Sequence, residues 1–286
     1  MQIIDGKKIA EKINNGTAKD VFSLINRGYR HPHLAIILVG EREDSKLYTS
    51  LKEKVAKEVG IDTSLYLIDK DDDKKKLIDI INFLNNDDSV DGILVQLPLP
   101  EKFETDKILP LIESSKDVDG FNTKKIFYSP VVLATKYSLE ESKIDYKNKK
   151  AFLFFNSNVF KEEMENFLNK FNISLLAISN QELNKLITNP DEFKKIQNKV
   201  KQCDIVISAM GQAEIITSDF LNDDMIIIDI GITKNNKKVT GDVKFLDTQK
   251  LNGYITPVPG GIGPITVACL LKNVLQAYLL KVEKQK

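Results

Sequence analysis

The sequence predicts an α/β protein of two domains, each built on a parallel β-sheet. Its 286 residues are enough for two domains of ordinary size. Short apolar runs rich in β-branched residues alternate with longer amphipathic stretches, as in buried parallel strands joined by helices. Two such series follow one another, with a polar junction at residues 145–150.

The first series predicts a domain at residues 1–140, joined by a C-terminal helix at residues 264–286. Its strands are predicted at 34–39, 64–68 and 92–96, and its helices at 7–26, 45–59, 73–84 and 264–280. The helix at 45–59 is a typical case, because Leu47, Leu51, Val55 and Val59 recur at helical spacing and Gly60 ends the pattern.

The second series predicts a Rossmann-like domain at residues 146–260. Its strands are predicted at 151–155, 174–178, 204–209 and 225–230, and a helix at 159–171. The strands are almost entirely apolar, which favours burial on both faces of a parallel sheet.

Composition excludes several classes of protein. The 41 basic and 41 acidic residues balance, so a nucleic-acid-binding surface is not expected. No run approaches the roughly 18 apolar residues of a membrane span, and the N-terminus lacks a signal peptide, so we expect a cytoplasmic protein. Cys203 and Cys269 are far apart in apolar contexts and predict buried, reduced thiols. No metal site is expected, because the only histidines flank Pro32 in a polar turn.

Tyr48 and Lys52 lie four residues apart in the predicted helix 45–59, and so on one face of it. A lysine beside a buried stripe is partly desolvated, which lowers its pKa and suits it to act as a general base. A tyrosine one turn away can stack on a flat substrate. The same spacing also fits a packing tyrosine and a solvated lysine.

Two further segments place polar groups at strand ends. Gln96 comes where the predicted strand 92–96 emerges, before two prolines, and ligand groups project from the carboxyl ends of such strands. Asp117 and Asp119 flank one residue in a loop, and a carboxylate there can accept two parallel N–H bonds from a pyrimidine edge. Each segment also fits a structural role, as a satisfied strand end or as a capped turn.

The segment 254–266 carries three glycines and three prolines before the last predicted helix. Glycines allow the backbone to approach a ligand closely, and Pro264 suits a first helical turn. A bare helix entry needs only one such residue, so this density favours a ligand-lining loop.

Together these segments resemble the bifunctional methylenetetrahydrofolate dehydrogenase / methenyltetrahydrofolate cyclohydrolase enzymes of one-carbon metabolism. The resemblance extends over nearly the whole chain and is strongest over residues 1–122 and 203–275. Segments 3–7, 228–232 and 241–243 also match. Several separated motifs in the same order make a chance match very rare.

The resemblance implies the residues that carry the hydrolysis. Lys52 corresponds to the general base, Tyr48 to the ring that covers the folate, and Gln96 to the residue that sets the position and charge of the lysine. The methenyl carbon is an amidinium electrophile, so water loses a proton as it attacks, and a lysine of lowered pKa can take that proton. This reaction, from 5,10-methenyltetrahydrofolate to 10-formyltetrahydrofolate, requires no cofactor.

The resemblance also implies the binding residues. Asp119 corresponds to the pterin anchor, and Pro259, Gly260 and Gly261 to the loop that lines the folate. The family's members bind NADP, or in some cases NAD, in the second domain and form homodimers. A homodimer with a folate substrate and without a nucleic-acid or membrane partner is therefore expected.

The dinucleotide loop departs from the family pattern Gly-x-Ser-x-x-x-Gly-Arg/Lys-Pro. Ser157 fits it, but Phe155 replaces the first glycine, Lys161 the second, Glu162 the basic residue and Glu163 the proline. With Asn158 as the predicted N-cap, both glutamates would lie near the first turn and repel a phosphate. A bulky Phe155 would also remove space that a pyrophosphate needs.

Three other departures lie nearby. The segment 179–182 carries no lysine or arginine for a 2′-phosphate, the family's Pro-Cys-Thr-Pro is reduced to 133–136, and Gly211 is not followed by the family's proline. Among cofactor residues only Ser157 and Ile232 are carried over. The sequence therefore predicts a cyclohydrolase whose NADP-dependent dehydrogenase activity is doubtful. The alternatives are a full bifunctional enzyme with an altered cofactor pose and a catalytically silent binding subunit.

Overall fold

The computed structural model describes residues 1–122, 124–235 and 238–284. The chain forms two compact units. The N-terminal unit comprises Ala10–Leu133 with Thr266–Lys286, and the central unit comprises Met1–Ile9 with Ala134–Ile265. The predicted first domain held residues 1–9 and 134–140, which here group with the central unit. For the N-terminal residues the reason is a strand pairing, since Gln2 pairs in parallel with Tyr254.

The helices and strands predicted from periodicity are present, with ends shifted by up to four residues. In the described part of the chain the helices are α1 Gly6–Asn26, α2 Glu43–Glu58, α3 Lys74–Asn86, α4 Thr105–Ile108, α5 Pro130–Glu141, α6 Asn158–Asn169, α7 Asn180–Leu186, α8 Pro190–Lys201 and α9 Ile262–Lys284. The strands are β1 Gln2–Ile3, β2 His33–Val39, β3 Asp62–Ile68, β4 Gly92–Val95, β5 Lys150–Phe155, β6 Ser174–Ser179, β7 Ile205–Ala209, β8 Met225–Asp229, β9 Thr233–Asn235, β10 Lys238–Thr240 and β11 Gly253–Ile255.

The N-terminal unit contains a parallel sheet of three strands in the order β3-β2-β4. The central strand β2 is buried along nearly its whole length, because helices cover both of its faces. Helix α9 is apolar enough to cross a membrane by length and composition, but 67% of that stretch is buried inside the protein. Its residues Leu270, Leu271 and Val274 pack against Leu34 and Ile36 of β2, so it is a core helix.

The central unit contains a parallel sheet of six strands in the order β1-β11-β8-β7-β5-β6. The chain runs outward from β5 to β6 and then returns to β7 on the other side of β5. In open α/β sheets this reversal opens a crevice at the carboxyl ends of the two neighbouring strands. The topology therefore places a ligand crevice beside the ends of β5 and β7.

Candidate active site

Helix α2 places Lys52 on its buried face. Thr49 and Ala56, one turn on either side, are 1% and 0% exposed, and Lys52 itself is half-buried. The predicted apolar stripe is wrong at its first two positions, because Leu47 and Leu51 are 65% and 42% exposed. A prediction from hydropathy assigns the leucines to the buried face because they are more apolar than threonine. In the structure Thr49 lies on the buried face, and Lys52 lies on that same face.

The side chain of Gln96 fixes the position of the lysine. Its Oε1 accepts a hydrogen bond of 2.8 Å from Nζ of Lys52. Its Nε2 donates at 2.8 Å to the carbonyl of Leu97, and its backbone N–H donates at 2.9 Å to the carbonyl of Ile37 in β2. Because the backbone and the amide nitrogen are both engaged, the amide oxygen faces Lys52.

Burial lowers the pKa of Lys52, and the negative charge of Asp119 opposes this by raising it. The net effect is a lowered pKa, so a larger fraction of the amine is neutral near pH 7 than for a solvated lysine. A neutral amine held by an amide oxygen can accept a proton from water. Tyr48, one turn earlier on α2, is 36% exposed, so part of its ring is open to solvent.

The two aspartates of the loop after β4 have different environments. Asp117 is buried and accepts hydrogen bonds from the backbone N–H groups of Gly120, at 3.0 Å, and Asn122. Burial raises the pKa of Asp117. Gly120 has a φ of +77°, and a Cβ there would lie 2.8 Å from the backbone nitrogen of Ser129. Asp117 thus holds the turn, whereas the half-buried Asp119 acts on the charge of Lys52.

The loop of Pro259, Gly260 and Gly261 lies in the central unit. The Val258–Pro259 peptide bond is cis, and Gly260 has a φ of +100°. A Cβ on Gly261 would lie 2.5 Å from the carbonyl oxygen of Pro257. The backbone conformation at these positions accommodates glycine rather than larger residues.

The start of α6 differs from the prediction in a way that matters for a dinucleotide. The N-cap is Ser157, not Asn158, and its hydroxyl accepts a hydrogen bond from the N–H of Phe160. The first turn consequently contains no acidic residue, and Glu162 and Glu163 lie beyond it. Phe155 is 7% exposed and thus packed within the protein. Glu162 and Glu163 therefore lie one position further into this 12-residue helix than the predicted cap implied.

Two buried carboxylates fix the loops at the carboxyl edge of the central sheet. Asp242 accepts hydrogen bonds from Ser208 Oγ at 2.6 Å and from the backbone nitrogens of Met210 and Gln212, both at 2.7 Å. Asp229, at the end of β8, accepts from the backbone nitrogen of Gly231 at 3.0 Å and from that of Asp242 itself at 3.1 Å. The loops after β7 and β8 are therefore held by one pair of acids.

Ile232 follows this network directly and is 46% exposed. It lies in the loop after β8, and Ser157 lies in the loop after β5. The structure therefore places both carried-over cofactor residues at the carboxyl edge of the same sheet.

Two family models match the chain in succession. Residues 4–119 match the catalytic domain of tetrahydrofolate dehydrogenase/cyclohydrolase, and residues 133–282 match its NAD(P)-binding domain. The chain belongs to the tetrahydrofolate dehydrogenase/cyclohydrolase family. The family resemblance stated from the motifs is thereby confirmed.

Relatives of this family match over their full lengths. The bifunctional protein FolD of Mesoplasma florum is 39% identical over 100% of both chains. The crystal structure of the bifunctional FolD from Campylobacter jejuni superposes with a TM-score of 0.90 at 33% identity, covering 98% of this chain and 99% of that one. The Trypanosoma brucei FolD, solved with NADP cofactor and an inhibitor, superposes with a TM-score of 0.89 at 27% identity, covering 98% of each chain.

Sequence reasoning missed the structural role of Asp229 and Asp242 in this family member. Both lie in segments that resemble the family, at 228–232 and 241–243. The available signal is an acid within two residues of a glycine in each segment. A Cβ on Gly231 would lie 2.0 Å from the Asp242 carboxylate, and one on Gly241 would lie 2.1 Å from Asp229.

Proposed function

We propose that the chain is a bifunctional enzyme of one-carbon folate metabolism. It oxidises 5,10-methylenetetrahydrofolate to the 5,10-methenyl compound and then hydrolyses this cation to 10-formyltetrahydrofolate. In the first reaction the methylene carbon loses a hydride. In the second, water adds to the methenyl carbon, the bond from that carbon to N5 breaks, N5 takes up one proton and one proton is released. The full-length similarity to bifunctional relatives favours both activities over hydrolysis alone.

The contact between Lys52 and Gln96 carries the hydrolytic half of this proposal. As water attacks the methenyl carbon its protons become acidic, and the lowered pKa of Lys52 lets the amine accept one. Gln96 holds the amine in place in both charge states, because its oxygen accepts from an amine and from an ammonium alike. Asp119 makes the ammonium formed in this step more favourable.

The central unit supports the dehydrogenase half. A nicotinamide dinucleotide, when bound, supplies the hydride acceptor. The start of α6, capped by Ser157 and without acids in its first turn, would hold the pyrophosphate. Asp242 would keep the loop after β7 in place beside it, through its bonds to Met210 and Gln212.

Two assays on one preparation test the proposal. Oxidation of 5,10-methylenetetrahydrofolate is followed by the absorbance of reduced cofactor, with NAD and NADP supplied separately. Hydrolysis of 5,10-methenyltetrahydrofolate is followed by the loss of its own absorbance. Activity in both assays supports the bifunctional enzyme. Hydrolysis alone would identify a cyclohydrolase without a dehydrogenase, and no turnover in either assay would identify a silent subunit.

A pair of variants on α2 tests the role of the lysine. Lys52→Met should reduce hydrolysis by roughly 10²–10⁴-fold, the usual contribution of a general base. Lys54→Met removes the same charge from an exposed position of the same helix and should leave the rate unchanged. Unchanged hydrolysis in Lys52→Met would refute the mechanism.

The remaining parts of the proposal follow the family resemblance. Tyr48, Asp119, Pro259, Gly260 and Gly261 contact the folate, and the chain forms a homodimer. Support for the dimer is the outer strand β6, where Leu176 is 48% exposed. Light scattering on the purified chain measures its oligomeric state directly, and a monomer at micromolar concentration would contradict the dimer.

A further inference from the structure

The loops at the carboxyl edge of the central sheet contain no lysine or arginine. The loops after β5, β6, β7 and β8 cover residues 155–160, 179–184, 209–216 and 229–233, and none of these described segments contains lysine or arginine. They contain two acids besides the buried Asp229, namely Glu182 and Glu214. This edge is therefore neutral to acidic.

Three lysines, Lys161, Lys185 and Lys234, stand one position beyond these segments. Nζ of Lys161, in the second turn of α6, lies 2.9 Å from Oε2 of Glu165. Lys185 lies one turn beyond Glu182 on α7 and lines one groove with Glu182, Phe152 and Lys199, and its positive charge contributes to lowering the pKa of Glu182.

At the end of β6, the carboxyl group of Glu182 uses only one of its two oxygens in hydrogen bonds to Ser179. Oε2 of Glu182 accepts from the backbone nitrogen of Ser179 at 3.0 Å and from its hydroxyl at 2.7 Å. Both bonds fall on the same oxygen, so Oε1 retains its lone pairs for a further donor. The hydrogen bond from Ser179 lowers the pKa of Glu182, so the carboxyl is ionised at neutral pH.

Neutral amide side chains lie next to Glu182 at the end of β6. Asn180 is held across the crevice, since its Oδ1 accepts from Gln212 Nε2 at 2.8 Å and from Asn184 Nδ2 at 2.6 Å. These are neutral amides, and they connect the loop after β6 with that after β7. In dinucleotide folds an acid about 20 residues after the first turn accepts from the ribose 2′-hydroxyl, whereas a 2′-phosphate requires a nearby arginine.

We propose that this chain discriminates against the 2′-phosphate of NADP and uses NAD, with Glu182 as the specificity-determining residue. The inference rests on the proposed dehydrogenase function. A 2′-phosphate carries a charge of about −1.5 to −2 at neutral pH, and it would meet the Glu182 carboxylate and no arginine, since the central unit contains none. A 2′-hydroxyl, by contrast, can donate to Oε1 of Glu182.

Calorimetric titration of the full-length chain with NAD and with NADP tests this without using turnover. We expect NAD to bind at least about tenfold more tightly. Equal or tighter binding of NADP would overturn the specificity inference alone. Binding of neither cofactor, by a preparation that hydrolyses the methenyl substrate, would overturn the proposed dehydrogenase function and the inference with it.

Three variants test whether Glu182 determines the preference for NAD over NADP. Glu182→Gln keeps an oxygen for Ser179 but removes the charge, so NADP should gain affinity by roughly tenfold while NAD gains none. Glu192→Gln, the same change in the first turn of α8, controls for net charge and should alter neither affinity. Lys185→Gln should leave the ratio of the two affinities unchanged. Loss of NADP binding in Lys185→Gln would show that this lysine supplies a phosphate site and would refute the inference.

Discussion

Oε1 of Gln96 lies 2.8 Å from Nζ of Lys52, and the other end of the same amide is held by the carbonyl of Leu97. The amide therefore has one orientation available, with its oxygen toward the lysine. Because an amide has no net charge, it positions the amine without favouring the ammonium as strongly as a carboxylate would. This neutrality is what leaves the pKa of Lys52 lowered by burial.

Gln96→Glu should shift the pH dependence of hydrolysis upward. A carboxylate beside Lys52 favours the ammonium and raises the pKa of Lys52 by about one to three pH units. The neutral amine is the active form, so the rising limb of kcat/KM against pH should move to higher pH by a similar amount. Stopped-flow hydrolysis between pH 6 and 10 measures this, and an unmoved limb would show that Lys52 is not the titrating base.

Asp119→Asn should shift the same limb in the opposite direction. The charge of Asp119 raises the pKa of Lys52, so its removal should lower that pKa and move the limb to lower pH. The variant should also raise KM for the folate by about tenfold or more, because hydrogen bonds to charged groups contribute about 1.5–3 kcal/mol. An upward shift of the limb, or an unchanged KM, would contradict the role given to Asp119.

Gly231→Ala should destabilise the protein strongly. The new Cβ would lie 2.0 Å from the Asp242 carboxylate, which is buried and bonded to three groups. Moving it should reduce the free energy of unfolding by roughly 2–4 kcal/mol. Gly16→Ala is the control, because a Cβ there meets nothing within 4 Å in the middle of α1, and it should stabilise by about 0.5–1 kcal/mol. Urea unfolding followed by circular dichroism compares the two, and equal midpoints would contradict the packing described.

Asp229 should make the protein less stable as pH rises from about 4 to 7. Burial raises the pKa of Asp229 from 3.8 to about 7, so in this range the folded state binds a proton that the unfolded state releases. Stability is then highest below pH 4 as far as this group is concerned, and the loss is complete above pH 7. In Asp229→Asn the side chain does not titrate, so this contribution to the pH dependence of the unfolding free energy is absent. The difference between wild type and variant should therefore change by a few kcal/mol across the range, and a constant difference would refute the assignment.

The sequence predicted the elements whose pattern is local and continuous. Strands β2, β5, β7 and β8 were predicted to within one residue of their observed ends, because each is a buried run bounded by polar residues. Helices α7 and α8 were not predicted. Both are strongly polar overall, although α8 carries Phe193, Ile196 and Val200 at helical spacing, and the caps at Ser179 and Asn189 mark where the two helices begin.

The sequence predicts the site residues that belong to family motifs. It does not predict the contacts around them, which depend on tertiary packing. Lys52 and Gln96 were paired by family resemblance, and their contact is present. Two predictions are wrong. The buried face of α2 includes Thr49, which hydropathy does not favour, and the N-cap of α6 is Ser157, with Asn158 as the first helical residue. The partners of Asp242 come from residues 208–212, 30 to 34 positions away, which no local pattern reveals.

The first nine residues of the chain belong to the central unit, and the last twenty-one belong to the N-terminal unit. Neither unit is thus one uninterrupted stretch of polypeptide. Cutting the gene between the two units yields one fragment that lacks α9 and another that lacks β1. A chimaera that exchanges the dinucleotide-binding half between two relatives consequently needs three splice points, not one.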